Sequence, residues 1–258
     1  MTFFKDVWKI FTEHGDLLLR GVGNTLLIAV IGTLAGLLIG LLIGILRTTP
    51  FSRKKALRVL HKIADAICSV YIEVFRGTPM MVQAMVIYWG YAFASGGQTL
   101  PLIPSGIFIV SINTGAYMAE IVRGGIISID KGQFEGAQAL GMSHLQIMCH
   151  IVLPQVIRNI LPSVSNEFII NIKDTSVLNV IGVTELYFYA GKIKLFNLQI
   201  FQTYFVVCVL YFILTFSISR LLRLAERKLD GKENYTICGS QSDFNAEIHV
   251  QEESPSCR

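Results

Sequence analysis

The amino-acid sequence predicts an all-α integral membrane protein with five transmembrane helices and one helical loop on the cytoplasmic side. Of the 258 residues, 52% are hydrophobic and only 16% are charged, which is more apolar than a soluble domain of this size can readily bury. Charged residues are also missing from three long stretches of the chain. An uncharged run of about 20 residues is long enough to cross the hydrocarbon core of a bilayer as a helix.

These uncharged stretches supply four of the five predicted spans. The first stretch covers residues 21–46, and the last covers residues 195–219. The middle stretch, 77–119, is divided by Pro101 and Pro104 and by a glycine-containing turn before them, so it predicts two spans joined by a short loop. The remaining span is apolar but contains the charged residues Glu167, Lys173 and Asp174. The predicted spans are about 21–46, 79–97, 102–126, 161–185 and 197–221, and the helical loop is 129–154.

Basic residues indicate the orientation of these spans, because lysine and arginine in short loops stay on the cytoplasmic side during insertion. One basic cluster follows the first span and another follows the last. Five spans with the N-terminus outside place both clusters in the cytoplasm, whereas Lys192 and Lys194 in a predicted outer loop are exceptions. Residues 1–20 are then extracytoplasmic, and the polar residues 229–258 form a disordered cytoplasmic tail. The clusters are Arg47, Arg53, Lys54, Lys55, Arg58 and Lys62, and Arg220, Arg223, Arg227, Lys228 and Lys232.

A secretory signal peptide is the alternative interpretation of the first span. Its apolar run is too long for a signal peptide, no small-residue cleavage site follows it, and three acidic residues precede it. Residues 56–75, in contrast, are too charged to span. Their apolar residues recur at helical spacing, which predicts an amphipathic helix on the inner membrane surface that leads into the second span.

Four glycines in the first span follow a strict four-residue spacing. Gly32, Gly36, Gly40 and Gly44 lie on one helical face, and such a face lets a second helix approach closely. The alternative is that glycine is simply common in membrane helices.

The helical loop 129–154 carries clear capping signals. Asp130 with Gln133 is an N-terminal capping pattern, and Gly141 is placed to end the helix in the left-handed conformation. Ser143 with Gln146 predicts the start of a second helix by reciprocal capping. The outer face of the first helix shows small and polar residues, so we expect it to dock against a partner protein and not to bury itself in lipid.

This loop resembles the cytoplasmic signature of the permease subunits of ABC importers. The family pattern is Glu-Ala-Ala, three residues, Gly, nine residues, Ile-x-Leu-Pro. Here the chain reads Glu135-Gly136-Ala137, Gly141 and Ile151-Val152-Leu153-Pro154 at the same spacing. Gly136 in place of the first alanine is the one departure, and it keeps the residue small.

Three further segments are similar to those of polar amino acid permeases of the histidine, glutamine, arginine and cystine type. They are residues 75–79, 113–125 and 173–176. The resemblance implies a type I ABC importer permease fold with two permease subunits, identical or different, an ABC ATPase dimer, an extracytoplasmic solute-binding protein and an amino acid substrate in a bacterial plasma membrane. It also implies that the loop couples to the ATPase through Glu135, Gly136, Ala137, Gln138, Ala139, Gly141, Leu153 and Pro154.

The chain lacks the phosphate-binding motif Gly-x-x-x-x-Gly-Lys-Ser/Thr. We therefore expect no cofactor in this chain, ATP and Mg²⁺ on the partner ATPase, and no enzymatic activity of its own. The five histidines are isolated in sequence, and the net charge of +4 is accounted for by the cytoplasmic clusters, so a metal enzyme and a nucleic-acid binder are both disfavoured.

Polar residues within the apolar spans are candidates for the substrate path, because ionised groups in a bilayer should face a polar cavity or a partner. Glu167, Asn171 and Asp174 share one face of the fourth span. A zwitterionic amino acid offers an ammonium and a carboxylate to such groups. The candidates are Gln83, Thr114, Tyr117, Glu167, Lys173, Asp174, Thr175 and Ser176.

A structural role is the alternative for each of these residues: an ion pair of Lys173 with Asp174 or Glu167, or polar contacts between helices. Glu120 and Arg123 are expected to form an ion pair within one helix. An ion-coupled secondary transporter is the main competing function, but the repeated halves typical of that class are not found in the sequence. The resemblance covers carriers of several amino acid types, so it does not select one substrate.

Overall fold

The computed structural model describes residues 2–49, 54–229, 235–238 and 247–250 of the chain. Its helices are α1 (Thr2–Glu13), α2 (Gly15–Thr48), α3 (Lys55–Gly77), α4 (Met80–Ala94), α5 (Leu102–Ile127), α6 (Lys131–Ala139), α7 (His144–Ile147), α8 (Leu153–Asp174), α9 (Leu186–Asn197) and α10 (Ile200–Leu229). A π-helical turn, Met148–Val152, joins α7 to α8, and a 3₁₀ segment, Thr175–Ile181, follows α8. Two short strands, β1 (Tyr235–Cys238) and β2 (Glu247–Val250), come after α10.

Within the described residues, four helical stretches are long and apolar enough to cross a membrane. They are α2, α5, the continuous run His144–Ile181 and most of α10. Helix α4 is apolar too, but its 15 residues reach only about 22 Å at 1.5 Å per residue, which is less than the hydrocarbon thickness of about 30 Å. The multi-span helical architecture is therefore confirmed, whereas the membrane crossing of the predicted span 79–97, which contains α4, stays a prediction.

Helices α2 and α5 form the central pair of the structure. The glycines Gly32, Gly36, Gly40 and Gly44 of α2 face Val110, Thr114, Met118 and Val122 of α5 in the same order. Both series advance by four residues, so the two helices stay in contact over several turns. A Cβ atom added at Gly36 would lie 2.8 Å from the Thr114 Cβ, and this closeness confirms that the glycine face is a helix-packing surface.

Helices α3 and α4 both run alongside α5. The Tyr71 hydroxyl of α3 donates to the carbonyl oxygen of Ile112, near the middle of α5, and Gly115 leaves room for that hydroxyl because it has no side chain. The second half of α3 therefore packs against the middle of α5. The prediction that residues 56–75 lie along the inner membrane surface is therefore wrong for this half. Amphipathic spacing shows that one face of a helix is exposed, but it does not show how the helix axis is oriented.

The helical segments in the region of the fourth predicted span, 161–185, have bounds that differ from that range. The α-helix starts at residue 153, ends at residue 174 and gives way to the 3₁₀ segment, which stops at Gly182 with φ of 89°. Glu185 is fully buried and begins α9, because its carboxylate accepts hydrogen bonds from two N–H groups of the first turn at 2.9 and 2.7 Å. The Tyr211 hydroxyl of α10 donates to the same carboxylate at 2.8 Å. Glu185 therefore caps a new helix.

The N-terminal segment 1–20 contains α1 and the start of α2. Helix α1 packs on α10, where the ring of Phe3 lies 5.5 Å from the ring of Phe201 and 5.3 Å from that of Phe205, measured between centroids. The side of the membrane on which this segment lies stays a prediction.

The segment 229–258, predicted to be disordered, contains the two strands. They pair antiparallel, with Tyr235 opposite Val250 and Ile237 opposite Ile248. Aromatic and β-branched residues of these two segments favour strands, and the disorder of the tail stays a prediction. The rest of the segment beyond Leu229 lies outside the described residues.

Candidate functional site: the loop helix and the polar residues between the spans

The loop 129–154 folds as its capping signals predict. The Asp130 side chain accepts a hydrogen bond from the Gly132 N–H at 2.6 Å and caps α6. Gly141 has φ of 79°, a conformation that glycine adopts without a steric cost. Ser143 and Gln146 form the reciprocal capping box at the start of α7.

Helix α6 buries one edge and exposes the other. Ala137 is 3% exposed and belongs to a buried apolar cluster with residues near the end of α5 and in the π-helical turn before α8, such as Val122 and Val152. Glu135, Gly136, Gln138 and Ala139 are exposed, as are Gly141 and Pro154, whereas Leu153 is partly buried. A packed alanine under an exposed polar face fixes the helix to the membrane helices and leaves its other side open to a partner.

Apolar side chains next to α6 are also open. Leu140 is 83% exposed and Leu145 is 75% exposed. Two large exposed leucines beside a small polar helix are typical of a protein contact surface.

A cluster of charges joins α2, α3 and α5. Glu120 lies 3.0 Å from Arg47 Nη1, 2.8 Å from Arg123 Nη2 and 4.0 Å from Arg76 Nη1. Arg47 Nε is in turn 3.2 Å from Asp65 Oδ1. The Glu120–Arg123 pair was predicted and is present, whereas the links to three other helical residues were missed because those residues are distant in sequence.

Asn171 and Thr114 belong to a buried polar triad. The Asn171 amide donates to Thr33 Oγ1 at 2.8 Å and its carbonyl oxygen accepts from Thr114 Oγ1 at 3.1 Å. All three side chains are less than 6% exposed. Thr114 is therefore occupied in joining α2, α5 and α8, which is the structural alternative to its role in the substrate path.

The Gln83 side chain also forms structural hydrogen bonds, at the break between α3 and α4. Its amide nitrogen donates to the carbonyl oxygens of Phe75 and Thr78 at 3.0 and 2.9 Å. Asn113 of α5 donates to its side-chain oxygen at 2.9 Å. Backbone groups freed by an interrupted helix at membrane depth need such partners, so Gln83 stabilises the interruption.

Arg76, a residue that the predicted set lacks, lies near Tyr117 and Glu167. The Arg76 guanidinium lies 5.5 Å from the centre of the Tyr117 ring. Glu167 is within electrostatic reach of both Asp174 and Arg76. Arg76 lies inside the segment 75–79 that resembles polar amino acid permeases, and that segment was the available signal for it.

The other three candidates at the end of α8 are Lys173, Thr175 and Ser176, and they differ in exposure and contacts. Lys173 is exposed and lines a cavity of about 350 Å³ beside α10, with Phe216 and Arg223 among its walls. Thr175 is fully buried and donates to the Ile172 carbonyl oxygen at 2.9 Å, while Ser176 is partly buried. Lys173 therefore lines the cavity on the α10 side and is also within electrostatic reach of Asp174, which in turn is within reach of Glu167.

Comparison with known proteins shows the family to which this chain belongs. Residues 36–231, more than half of the chain, match the family described as "Binding-protein-dependent transport system inner membrane component". The chain belongs to this family. Its loop signature around Glu135 and its several apolar helices agree with that membership.

Several members of the family with curated names are similar over most of the chain. The glutamine transport system permease protein GlnP of Escherichia coli (strain K12) is 39% identical over 222 residues, which are 86% of this chain and 97% of that protein. The L-cystine transport system permease protein TcyB of Bacillus subtilis (strain 168) is 40% identical over 165 residues, 64% of this chain and 70% of that protein. The putative GlnP of Rickettsia bellii (strain RML369-C) is 34% identical over 223 residues, 86% of this chain and 99% of that protein.

Two solved structures have a similar fold. An amino acid ABC transporter crystallised with histidines matches with a TM-score of 0.72 at 35% identity, over 84% of this chain and 96% of that one. The MetNI methionine ABC transporter, in inward-facing conformations, matches with a TM-score of 0.66 at 21% identity, over 83% and 96%, and at that identity it shows the fold alone. The prediction that the chain is a multi-pass permease subunit of an ABC importer of amino acids is confirmed, and these likenesses give no support to the ion-coupled alternative.

Proposed function

We propose that this chain moves a polar L-amino acid through the bacterial plasma membrane, as one of two permease subunits in an importer that an ATPase dimer drives and a solute-binding protein supplies. The observation that carries the proposal is the loop helix α6, which is packed through Ala137 and open along Glu135 and Gln138. ATP and Mg²⁺ bind the partner ATPase. The named relatives carry glutamine and cystine, and both are polar amino acids.

We place α6 in a cleft of the ATPase subunit. The exposed residues of α6 from Glu135 to Ala139 include Gly136 and Ala139, whose small size lets a partner approach the backbone closely. Movement of α6 reaches the spans through Ala137, which packs in the same apolar cluster as Val122 of α5 and Val152 before α8. ATP-driven closure of the ATPase dimer then rocks the permease subunits between inward-open and outward-open states.

The proposed topology has five spans with the N-terminus outside and the C-terminus in the cytoplasm. The second span consists of the second half of α3 followed by α4, interrupted at Thr78 and Pro79. Both parts lie along α5: Tyr71 of α3 reaches Ile112, and Tyr88 of α4 donates to Leu100, just before α5, at 3.3 Å. The two parts together supply the length that α4 lacks.

The proposed substrate path passes between the interruption in the second span and the end of α8. Interrupted helices near the middle of the bilayer form the binding sites of many transporters. Glu167 and Asp174 offer carboxylates to the ammonium of an amino acid, and Arg76 offers a guanidinium to its carboxylate. Lys173, Thr175 and Ser176 lie beside this path, while Gln83 and Thr114 hold its walls together.

Transport by the complete importer in proteoliposomes tests the proposal. Uptake of labelled glutamine, cystine and histidine is measured with ATP inside the vesicles, with and without the binding protein, and again with an ion gradient in place of ATP. We expect uptake of at least one of these amino acids to require both ATP and the binding protein, and to persist when an ionophore removes the gradient. Uptake driven by the gradient without ATP would refute the proposal.

A charge reversal on α6 tests the coupling role. We expect Glu135→Lys to abolish uptake while the protein still inserts and the importer still hydrolyses ATP, because the replaced side chain lies on the docking face. Asp16→Lys is the matched control, since Asp16 is an exposed acidic residue in the first turn of α2. Unchanged uptake by the Glu135 variant would place the docking surface elsewhere.

A further inference from the structure

A cavity of about 360 Å³ opens between the C-terminal end of α2, the C-terminal end of α5 and the start of α6. Arg47 and Thr48 contribute the α2 wall, Arg123 and Ile127 the α5 wall, and Lys131 and Phe134 the α6 wall. Its volume falls within the range of about 300–1,000 Å³ that is typical of small-molecule sites. The cavity differs from the proposed docking face, because Lys131 and Phe134 precede Glu135 on α6.

The cavity has an excess of positive charge. Arg47, Arg76, Arg123 and Lys131 carry four positive charges in and beside it, and Asp65, Glu120 and the capping residue Asp130 carry three negative charges, which leaves a net charge of +1. Within the described part of the chain, the carboxylates do not use Arg47 Nη2 or Arg123 Nη1 as donors. These N–H groups are available to an additional anion.

The cavity also has an apolar wall. Ile127 lines it and is 63% exposed, and Phe134 and two buried isoleucines line it as well. An anion that fits this site therefore carries an apolar part beside its charge.

We propose that the cavity binds the phosphate headgroup of an anionic phospholipid. In the proposed orientation the ends of α2 and α5 lie at the inner boundary of the membrane, where anionic headgroups face basic residues. Arginine side chains form strong charge-assisted hydrogen bonds with phosphate oxygens. The apolar wall then contacts the glycerol and the first acyl carbons, which an inorganic phosphate or a nucleotide does not possess.

A lipid bound in this cavity would contact the coupling loop 129–154. The same headgroup would contact the ends of α2 and α5 and the first turn of α6, so it would hold the start of α6 against the spans. Anionic lipid in the inner leaflet is thus expected to stabilise the position of α6.

Native mass spectrometry of the purified full-length chain in detergent tests the proposal. The probes are phosphatidylglycerol and phosphatidylcholine of matched acyl chains. We expect retention of phosphatidylglycerol and little retention of phosphatidylcholine. Detergent solution has no membrane sides, so this measurement tests the site separately from the proposed topology.

Lys131→Gln should weaken phosphatidylglycerol binding about fivefold, since one basic residue near anionic lipid contributes about 1 kcal/mol. The substitution removes a positive charge from a helix N-terminus, where it is unfavourable, so the fold is not expected to suffer. Lys62→Gln is the matched control, because Lys62 is exposed in the first half of α3 and does not line the cavity. Ile127→Trp, which fills the opening and alters no charge, should also weaken binding.

Three results would overturn the proposal. The first is equal retention of the two lipids. The second is an equal effect of the Lys131 and Lys62 substitutions together with no effect of Ile127→Trp. The third is displacement of phosphatidylglycerol by millimolar inorganic phosphate, which would assign the site to a soluble phosphate.

Discussion

The Glu120 carboxylate accepts a hydrogen bond from Arg47 Nη1 across 3.0 Å, and this contact ties the end of α2 to α5. Glu120 is only 22% exposed at its side chain, and it also holds Arg123 at 2.8 Å. Its removal leaves these guanidinium groups in a partly buried site without a carboxylate between them.

We therefore expect Glu120→Gln to lower the free energy of unfolding by about 1–3 kcal/mol, less than the loss for a fully buried pair because water still reaches the site. The measurement is denaturant unfolding of the purified protein in detergent. Glu13→Gln is the control, because the Glu13–Lys9 pair is exposed at 55% and 66%, and its loss should cost less than about 0.5 kcal/mol. Equal effects of the two substitutions would show that the Glu120 cluster is not a structural link.

The glycine contact between α2 and α5 predicts a position-dependent effect of a single methyl group. A Cβ atom at Gly40 would meet backbone atoms of residues 118 and 119 at 2.7 and 2.8 Å, whereas a Cβ at Gly23 on the same helix has nothing within 4 Å. We expect Gly40→Ala to lower stability by about 1–3 kcal/mol through overpacking. Gly23→Ala should leave stability unchanged or raise it slightly, since alanine favours the helix. Thermal denaturation of both variants tests this, and a harmless Gly40→Ala would mean that the helices lie farther apart.

Sequence reasoning found the features that depend on neighbours within one helix. The capping residues Asp130 and Ser143, the left-handed Gly141 and the glycine face of α2 all follow from spacings of two to four residues. The orientation of the α3 axis relative to α5 was not predictable in the same way. It depends on contacts between residues distant in sequence, such as the hydrogen bond from Tyr71 to the carbonyl oxygen of Ile112. Arg76 was missed for a similar reason, since its proximity to Tyr117 and Glu167 exists only after three helices pack.

The triad of Thr33, Thr114 and Asn171 is predicted to be structural. Asn171→Ala leaves two buried hydroxyl groups without their partner and should cost about 1–3 kcal/mol of stability. Asn159→Ala is the control on the same helix, because Asn159 is exposed and has only a 3.5 Å contact with Ser128.

A triple substitution separates this role from substrate binding. Replacing Asn171 by Leu and both threonines by Val removes every polar member of the triad, so no buried group loses a partner and part of the stability should return. Uptake by the triple variant should recover with stability. Recovery of stability without recovery of uptake would return Thr114 to the substrate path.

The carboxylates at the end of α8 are predicted to affect substrate more than stability. Glu167→Gln and Asp174→Asn should each raise the KM for the transported amino acid about tenfold or more, because a charge-assisted hydrogen bond to the ammonium contributes about 1.5–3 kcal/mol. ATP hydrolysis without substrate should stay near the wild-type rate. Lys173→Gln is the control, as Lys173 faces the cavity beside α10, and a larger effect of Lys173→Gln than of the carboxylate variants would contradict the arrangement.

Two glycines of the coupling loop should respond to alanine in opposite directions. Gly141 has φ of 79°, so Gly141→Ala forces a side chain into the left-handed region at a cost of about 1–2 kcal/mol. Gly136 is helical, and a Cβ there has nothing within 4 Å. Gly136→Ala should therefore stabilise α6 by about 0.5–1 kcal/mol, and it restores the alanine of the family signature, so uptake should be retained. Hydrogen exchange of the amides in α6 and α7 should be faster in the Gly141 variant and slower in the Gly136 variant than in wild type. Slower exchange in the Gly141 variant would show that the turn between α6 and α7 does not need a left-handed residue.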